Sequence, residues 1–184
     1  MNIEQFIVEY AKHFSSNTEL KIIFQMGGKK KGKKRVEQVI QRCKDITEFL
    51  MHNKECWLVL KIWNVPLGTL TRLENAGFEI NLSDLIFEDN FNNSIIKENY
   101  TQDDKILLIN YKKYDFEKIR PVIQCIGAYE LGIEPSANIN AYLISFDNIC
   151  VLINLYDDRG MEVLTHDPVL NKLISDKFNL FLNK

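Results

Sequence analysis

Apolar residues recur along this chain at two spacings. Ile3, Phe6, Ile7, Tyr10, Ala11 and Phe14 fall at the i, i+3, i+4 intervals of one helical face. Val36, Val39, Ile40, Cys43, Ile46, Phe49 and Leu50 repeat that stripe, with glutamate and lysine on the opposite side. Between them, Leu20 to Met26 is too short for a helix and predicts a strand. Cys56 to Trp63 is almost continuously apolar, the pattern of a strand covered on both faces. Leu67 to Ala76 predicts a short helix closed by Gly77. Ile106 to Tyr111 predicts another strand. Asp115 to Leu131 predicts a helix with Asp115 as its N-cap and Pro121 inside it.

The C-terminal third has the sharpest punctuation. Ala141 to Phe146 and Cys150 to Tyr156 are apolar strands joined across Asp147-Asn148, and Asp157-Asp158-Arg159-Gly160 turns the chain into Met161 to Leu164. These three strands predict an antiparallel meander. Asp167 and Pro168 carry helix-start chemistry, and Val169, Leu170, Leu173, Ile174, Phe178, Phe181 and Leu182 supply an apolar stripe after them. The expected fold class is therefore α+β: a single layer of mainly antiparallel sheet packed with amphipathic helices, in one domain over residues 1–184.

Composition changes this picture little, and charge changes it more. With 184 residues, 46% hydrophobic and 26% charged, the chain can bury one good core. The N-terminal stretch lacks a basic region followed by an apolar one, and no run approaches the length of a membrane span, so a cytoplasmic protein without membrane contact is expected. Cys43, Cys56, Cys125 and Cys150 are widely spaced within apolar segments, which predicts buried free thiols, no metal and no cofactor. The net charge of −2 is uneven. Residues 29–35 hold six basic side chains and no acid, leaving 17 basic against 25 acidic elsewhere, or −8. The most lopsided part is 79–104, where Glu79, Asp84, Glu88, Asp89, Glu98, Asp103 and Asp104 face Lys97 alone.

Two stretches carry candidate chemistry. GGKKKGKKR, residues 27–35, fits the G-x-x-x-x-G-K spacing of a phosphate-binding loop through Gly27, Gly32 and Lys33, between a strand and a helix. The position that should bear a magnesium-binding hydroxyl is Lys34, and an ammonium cannot hold a cation. A solvated basic turn explains the stretch equally well. Tyr156, Asp157, Asp158, Arg159 and Gly160 form the densest polar group on a rigid scaffold, although aspartates and glycine also suit a tight turn. His13, His52 and His166 are dispersed. Direct nucleic-acid contact is disfavoured by the acidic body around a single basic turn.

The run LISFDNICVLINLYDDRGMEVLTHDPVLNKLISDKFNLFL, residues 143–182, resembles the ending of a bacterial domain-of-unknown-function family that finishes with a strand, a YDDRG turn, a short strand and an aromatic-rich helix. KIIFQMGG, RVEQVIQRCKDITEFL, CWLVLKIW and EPSANINAYLISFD resemble that family's upstream blocks in the same order. The resemblance implies an architecture and no catalytic residues. By analogy of size and charge, the expected role is that of an immunity protein, such as those of contact-dependent growth inhibition, that neutralises a basic toxin, with a nuclease as the fitting class. Its expected contact residues are Glu88, Asp89, Asp103 and Asp104, with Phe87, Phe91 and Tyr100 as apolar anchors. The alternative is a nucleic-acid- or nucleotide-binding protein, or an enzyme, built on the 27–35 loop or the YDDRG turn.

Overall fold

The structure, a computed structural model, describes residues 3–14, 20–62, 67–80, 85–86 and 105–182. Among these residues five α-helices, α1 (Ile3–Phe14), α2 (Gly32–Met51), α3 (Leu67–Asn75), α4 (Phe116–Tyr129) and α5 (Pro168–Lys177), are interspersed with strands. The strands are β1 (Leu20–Gln25), β2 (Cys56–Ile62), β3 (Leu85–Ile86), β4 (Lys105–Tyr111), β5 (Ile139–Ser145), β6 (Val151–Leu155) and β7 (Gly160–Thr165). They form one sheet in the order β1-β7-β6-β5-β2-β4-β3, and each of its pairings is antiparallel. The α+β expectation holds, and β5-β6-β7 is the expected meander.

The sheet is covered on both faces, which gives three layers. Because side chains alternate across a strand, Cys56, Leu58, Leu60 and Ile62 of β2 meet α2, α3 and α4, while Trp57 and Val59 meet α1. This explains why β2 reads as unbroken apolar sequence: all seven of its residues are buried. On the α1 side, Phe6 packs on Trp57 with ring centroids 5.1 Å apart, and Phe146 meets Phe6 at 5.5 Å. On the other side, the hydroxyl of Thr47 both donates to the Cys43 carbonyl at 2.7 Å and meets the Tyr114 hydroxyl at 2.5 Å. That buried pair ties α2 to the residues before α4 and leaves no hydroxyl unpaired.

The start of α2 and the burial of α5 differ from expectation, each for a physical reason, whereas the cap of α4 is as expected. α2 begins at Gly32 rather than Val36, so Lys33, Lys34 and Arg35 occupy its first turn. An apolar stripe cannot mark a helical turn that has no apolar residue. Asp115 does cap α4, accepting from the Glu117 N–H at 3.0 Å, and Pro121 lies inside the helix without moving its start. α5 buries less than its stripe implies, with Ile174 and Phe178 inside but Val169 76% and Leu173 51% exposed. The helix sits at the sheet margin beside β1 and β7, where only one narrow side can reach the core. There Leu182 bridges to Phe24, and Arg42 donates to the Gln25 carbonyl at 2.5 Å, occupying backbone groups of the edge strand.

Cys43, Cys56 and Cys125 are buried in the core, and burial pushes their thiols up to about 12, 12 and 11. Cys150 is only half-buried, against the expectation for it, and its thiol is also raised by burial. At pH 8 a thiol-specific disulfide reagent is therefore expected to label Cys150 slowly and no other cysteine until denaturant is added. Rapid labelling of two or more thiols in the native protein would contradict this packing.

Candidate functional site

Sequence reading treats the lysine-rich stretch and the YDDRG turn as separate candidates, and the fold joins them. β1 pairs with β7 so that Gln25 lies opposite Gly160, which brings the end of β1 and the β6–β7 turn to the same corner of the sheet. The Met26 N–H then donates to the Arg159 carbonyl at 2.8 Å. Arg35, in the first turn of α2, reaches across with its Nε to the Asp158 carboxylate and with a terminal nitrogen to the Gly28 carbonyl at 3.1 Å. Asp158 is almost wholly buried, its side chain 3% exposed against 20% for Arg35. Gln38 closes the corner by donating to the Met26 carbonyl at 3.1 Å.

Each residue of YDDRG has a structural task here. Asp157 accepts from the N–H groups of Arg159 at 2.7 Å and Gly160 at 2.9 Å, and from Arg159 Nε at 2.7 Å. This bonding, with the carboxylate's charge, raises the Arg159 guanidinium above its ordinary range. Tyr156 lays its ring against the α-carbon of Gly160, so any side chain at 160 would meet the phenol. The need for glycine there is steric rather than conformational. Burial and the neighbouring Asp157 and Glu162 raise the Tyr156 hydroxyl. Gly27 is constrained in the same way, since a β-carbon would fall against Arg35 and 2.7 Å from the Asp158 carbonyl oxygen. Both aspartates are thus engaged by internal donors.

What the corner offers outward is positive. Lys29, Lys30, Lys31, Lys33 and Lys34 are exposed, and none forms an ion pair with a described residue. Gly28 and Gly32, with φ of +53° and +54°, provide the left-handed backbone that places three lysines between them. The strand-turn-helix order of a phosphate loop is present, but β1 is an antiparallel edge strand, not the parallel strand of a nucleotide-binding sheet.

Two histidines that look unrelated in sequence also meet. His166 donates through Nε2 to the His13 carbonyl, and His13 Nε2 lies 3.1 Å from Glu9 Oε2. Both line an open pocket of about 440 Å³ with Cys150 and Asp167. Asp167 is committed to capping α5, accepting from Val169 at 2.8 Å and Leu170 at 3.0 Å, and no group of three or more metal-ligating residues assembles among the described residues.

The expected contact residues Phe87, Glu88, Asp89, Phe91, Tyr100, Asp103 and Asp104 lie outside the described residues. What is described of that region is its beginning and the two-residue strand β3. Phe78 is buried, and Glu79 stands exposed beside a groove of about 500 Å³ lined by Phe78, Ile80, Ile109, Tyr111, Glu117 and Lys118.

With the fold and this corner in view, comparison with known families is decisive for kinship: a domain of unknown function, DUF3885, matches residues 8–183. The chain belongs to the DUF3885 family. No curated protein and no solved structure matches it significantly. The DUF3885 match spans both sides of the welded corner, from β1 through β7. Among the described residues of this DUF3885 protein, no helix is long and apolar enough to cross a membrane.

Proposed function

We propose that this protein acts by binding another protein, as an immunity protein that covers a cationic bacterial toxin, a nuclease being the class that fits best. The observation that carries this reading is the charge of residues 79–104, seven acids to one base. A nuclease needs a cationic surface to hold phosphates, and a protein that blocks it gains association rate and selectivity from the opposite potential. The groove at the start of that segment supports the reading. Its Ile80, Ile109 and Tyr111 offer apolar area to an anchor residue, and Glu79 and Glu117 stand at its edge. The internal engagement of Asp157 by Arg159 and backbone donors, and of Asp158 by Arg35, supports it as well, because carboxylates so bonded serve the scaffold.

Co-purification from the source bacterium at low and raised salt identifies the partner. A single cationic protein in a one-to-one complex, whose toxicity is suppressed by co-expression, is the expected outcome. Toxicity that persists under co-expression overturns the immunity reading. Reversing Glu88, Asp89, Asp103 and Asp104 to lysine is expected to slow association about tenfold or more at low salt and flatten its salt dependence. Truncating Phe87, Phe91 or Tyr100 to alanine should instead speed dissociation. If the charge reversal leaves association unchanged, the contact surface lies elsewhere.

A further inference from the structure

We infer that the lysine-bearing turn between β1 and α2 is a docking surface for the phosphate backbone of a single nucleic-acid strand. This goes beyond toxin binding and does not rest on it. The charge count at this corner is decided by pairing. Arg35 is neutralised by Asp158 and Arg159 by Asp157, whereas Lys29, Lys30, Lys31, Lys33 and Lys34 have no partner among the described residues. Five exposed cations therefore stand without a partner among the described residues, so local pairing, and not the overall acidity that argued against nucleic-acid contact, sets the charge of this corner.

Their position makes the concentration more telling. Lys33 and Lys34 lie in the first turn of α2, where the helix dipole is positive and acids are preferred, and that turn has no acid. Lys31 is the N-cap and makes no side-chain capping bond. Two local preferences for starting a helix, a capping side chain and an early acid, are unmet here, and such conflicts concentrate where function demands them. An arriving phosphate would relieve both the mutual repulsion and the uncompensated helix start. The base beneath the lysines is stiff, pinned by Arg35 to the Gly28 carbonyl, Gln38 to the Met26 carbonyl and Met26 to the Arg159 carbonyl. Little ordering is left to oppose binding.

The side chains of the turn select the partner: its unpaired charges are all cationic, which suits a chain of phosphates. None of the exposed large apolar side chains, Val8, Ile23, Tyr129, Ile149, Val169, Leu173 and Leu180, lies in residues 26–35 to insert into lipid or stack on a base. Recognition is therefore of phosphate, without base sequence, and extends to RNA and DNA strands alike.

The test is fluorescence anisotropy of a labelled 20-nucleotide oligouridine and a matching DNA strand, with the full-length protein. Binding at 50 mM salt that weakens roughly 10²-fold by 200 mM is expected for about five phosphate contacts. The double variant K33E/K34E should lose that binding while its melting temperature rises by roughly 2–4 °C, because acids replace cations at the helix start. K29Q/K30Q/K31Q should weaken binding at least tenfold, giving a second readout independent of the helix. Loss of affinity with a gain in stability separates a binding role from a merely structural one. No wild-type binding at 50 mM salt, or binding retained by K33E/K34E, overturns the inference. Lysine-dependent binding to vesicles containing anionic lipid, without oligonucleotide binding, overturns it in favour of a membrane surface.

Discussion

Replacing Arg35 with alanine is expected to destabilise the protein by about 3–5 kcal/mol, because it strands a carboxylate that has almost no access to water. The reverse truncation should cost less. Asp158→Ala leaves a guanidinium that is already 20% exposed and still bonded to the Gly28 carbonyl, so it can turn outward and recover its hydration, at a cost of about 1–3 kcal/mol. Urea unfolding of the two variants checks the asymmetry. Equal costs, or values below 1 kcal/mol for both, would mean that the pair behaves as an ordinary surface ion pair and does not hold the corner together.

The second large effect is expected at a residue with no side chain. Gly27→Ala places a β-carbon against the Arg35 guanidinium and 2.7 Å from the Asp158 carbonyl oxygen. The side chain can yield only by giving up its ion pair, and the carbonyl belongs to a turn already fixed by Asp157. Overpacking strain added to partial loss of the pair gives roughly 3–5 kcal/mol. In an Arg35→Ala background the same change should cost less, since one of the two obstacles is gone, with a coupling of about 0.5–3 kcal/mol. Strict additivity of the two substitutions would show that the glycine is not required by the arginine.

The prominence of these two residues is not visible in the chain read linearly. Helix α1, the greater part of α2 and the strand β2 were legible because each carries its own apolar period, and that period is a local property. Asp115 and Asp167 were legible as caps because capping acts over two or three residues. The charge of the 29–35 stretch was also plain, but its division between a turn and the first turn of a helix was not, since lysines carry no apolar stripe. The bond from Arg35 to Asp158 spans 123 positions, and nothing near either residue announces the other. In the sequence YDDRG reads as a self-sufficient turn, and Asp157 with Gly160 does behave as one. Asp158 is different: its task belongs to another part of the chain. His13 and His166 meet for the same reason, through packing of α1 beside the end of β7 that local patterns cannot encode.

The pairing of β1 with β7 has a consequence for how this protein is made. Leu20–Gln25 leaves the ribosome well before its partner, Gly160–Thr165, has been made. Until β7 emerges, the nascent chain therefore carries an apolar strand without its sheet neighbour, followed by a run of lysines that resists association with other such strands. The lysines that stand outward at the finished corner also guard its edge strand while the ribosome is still at work.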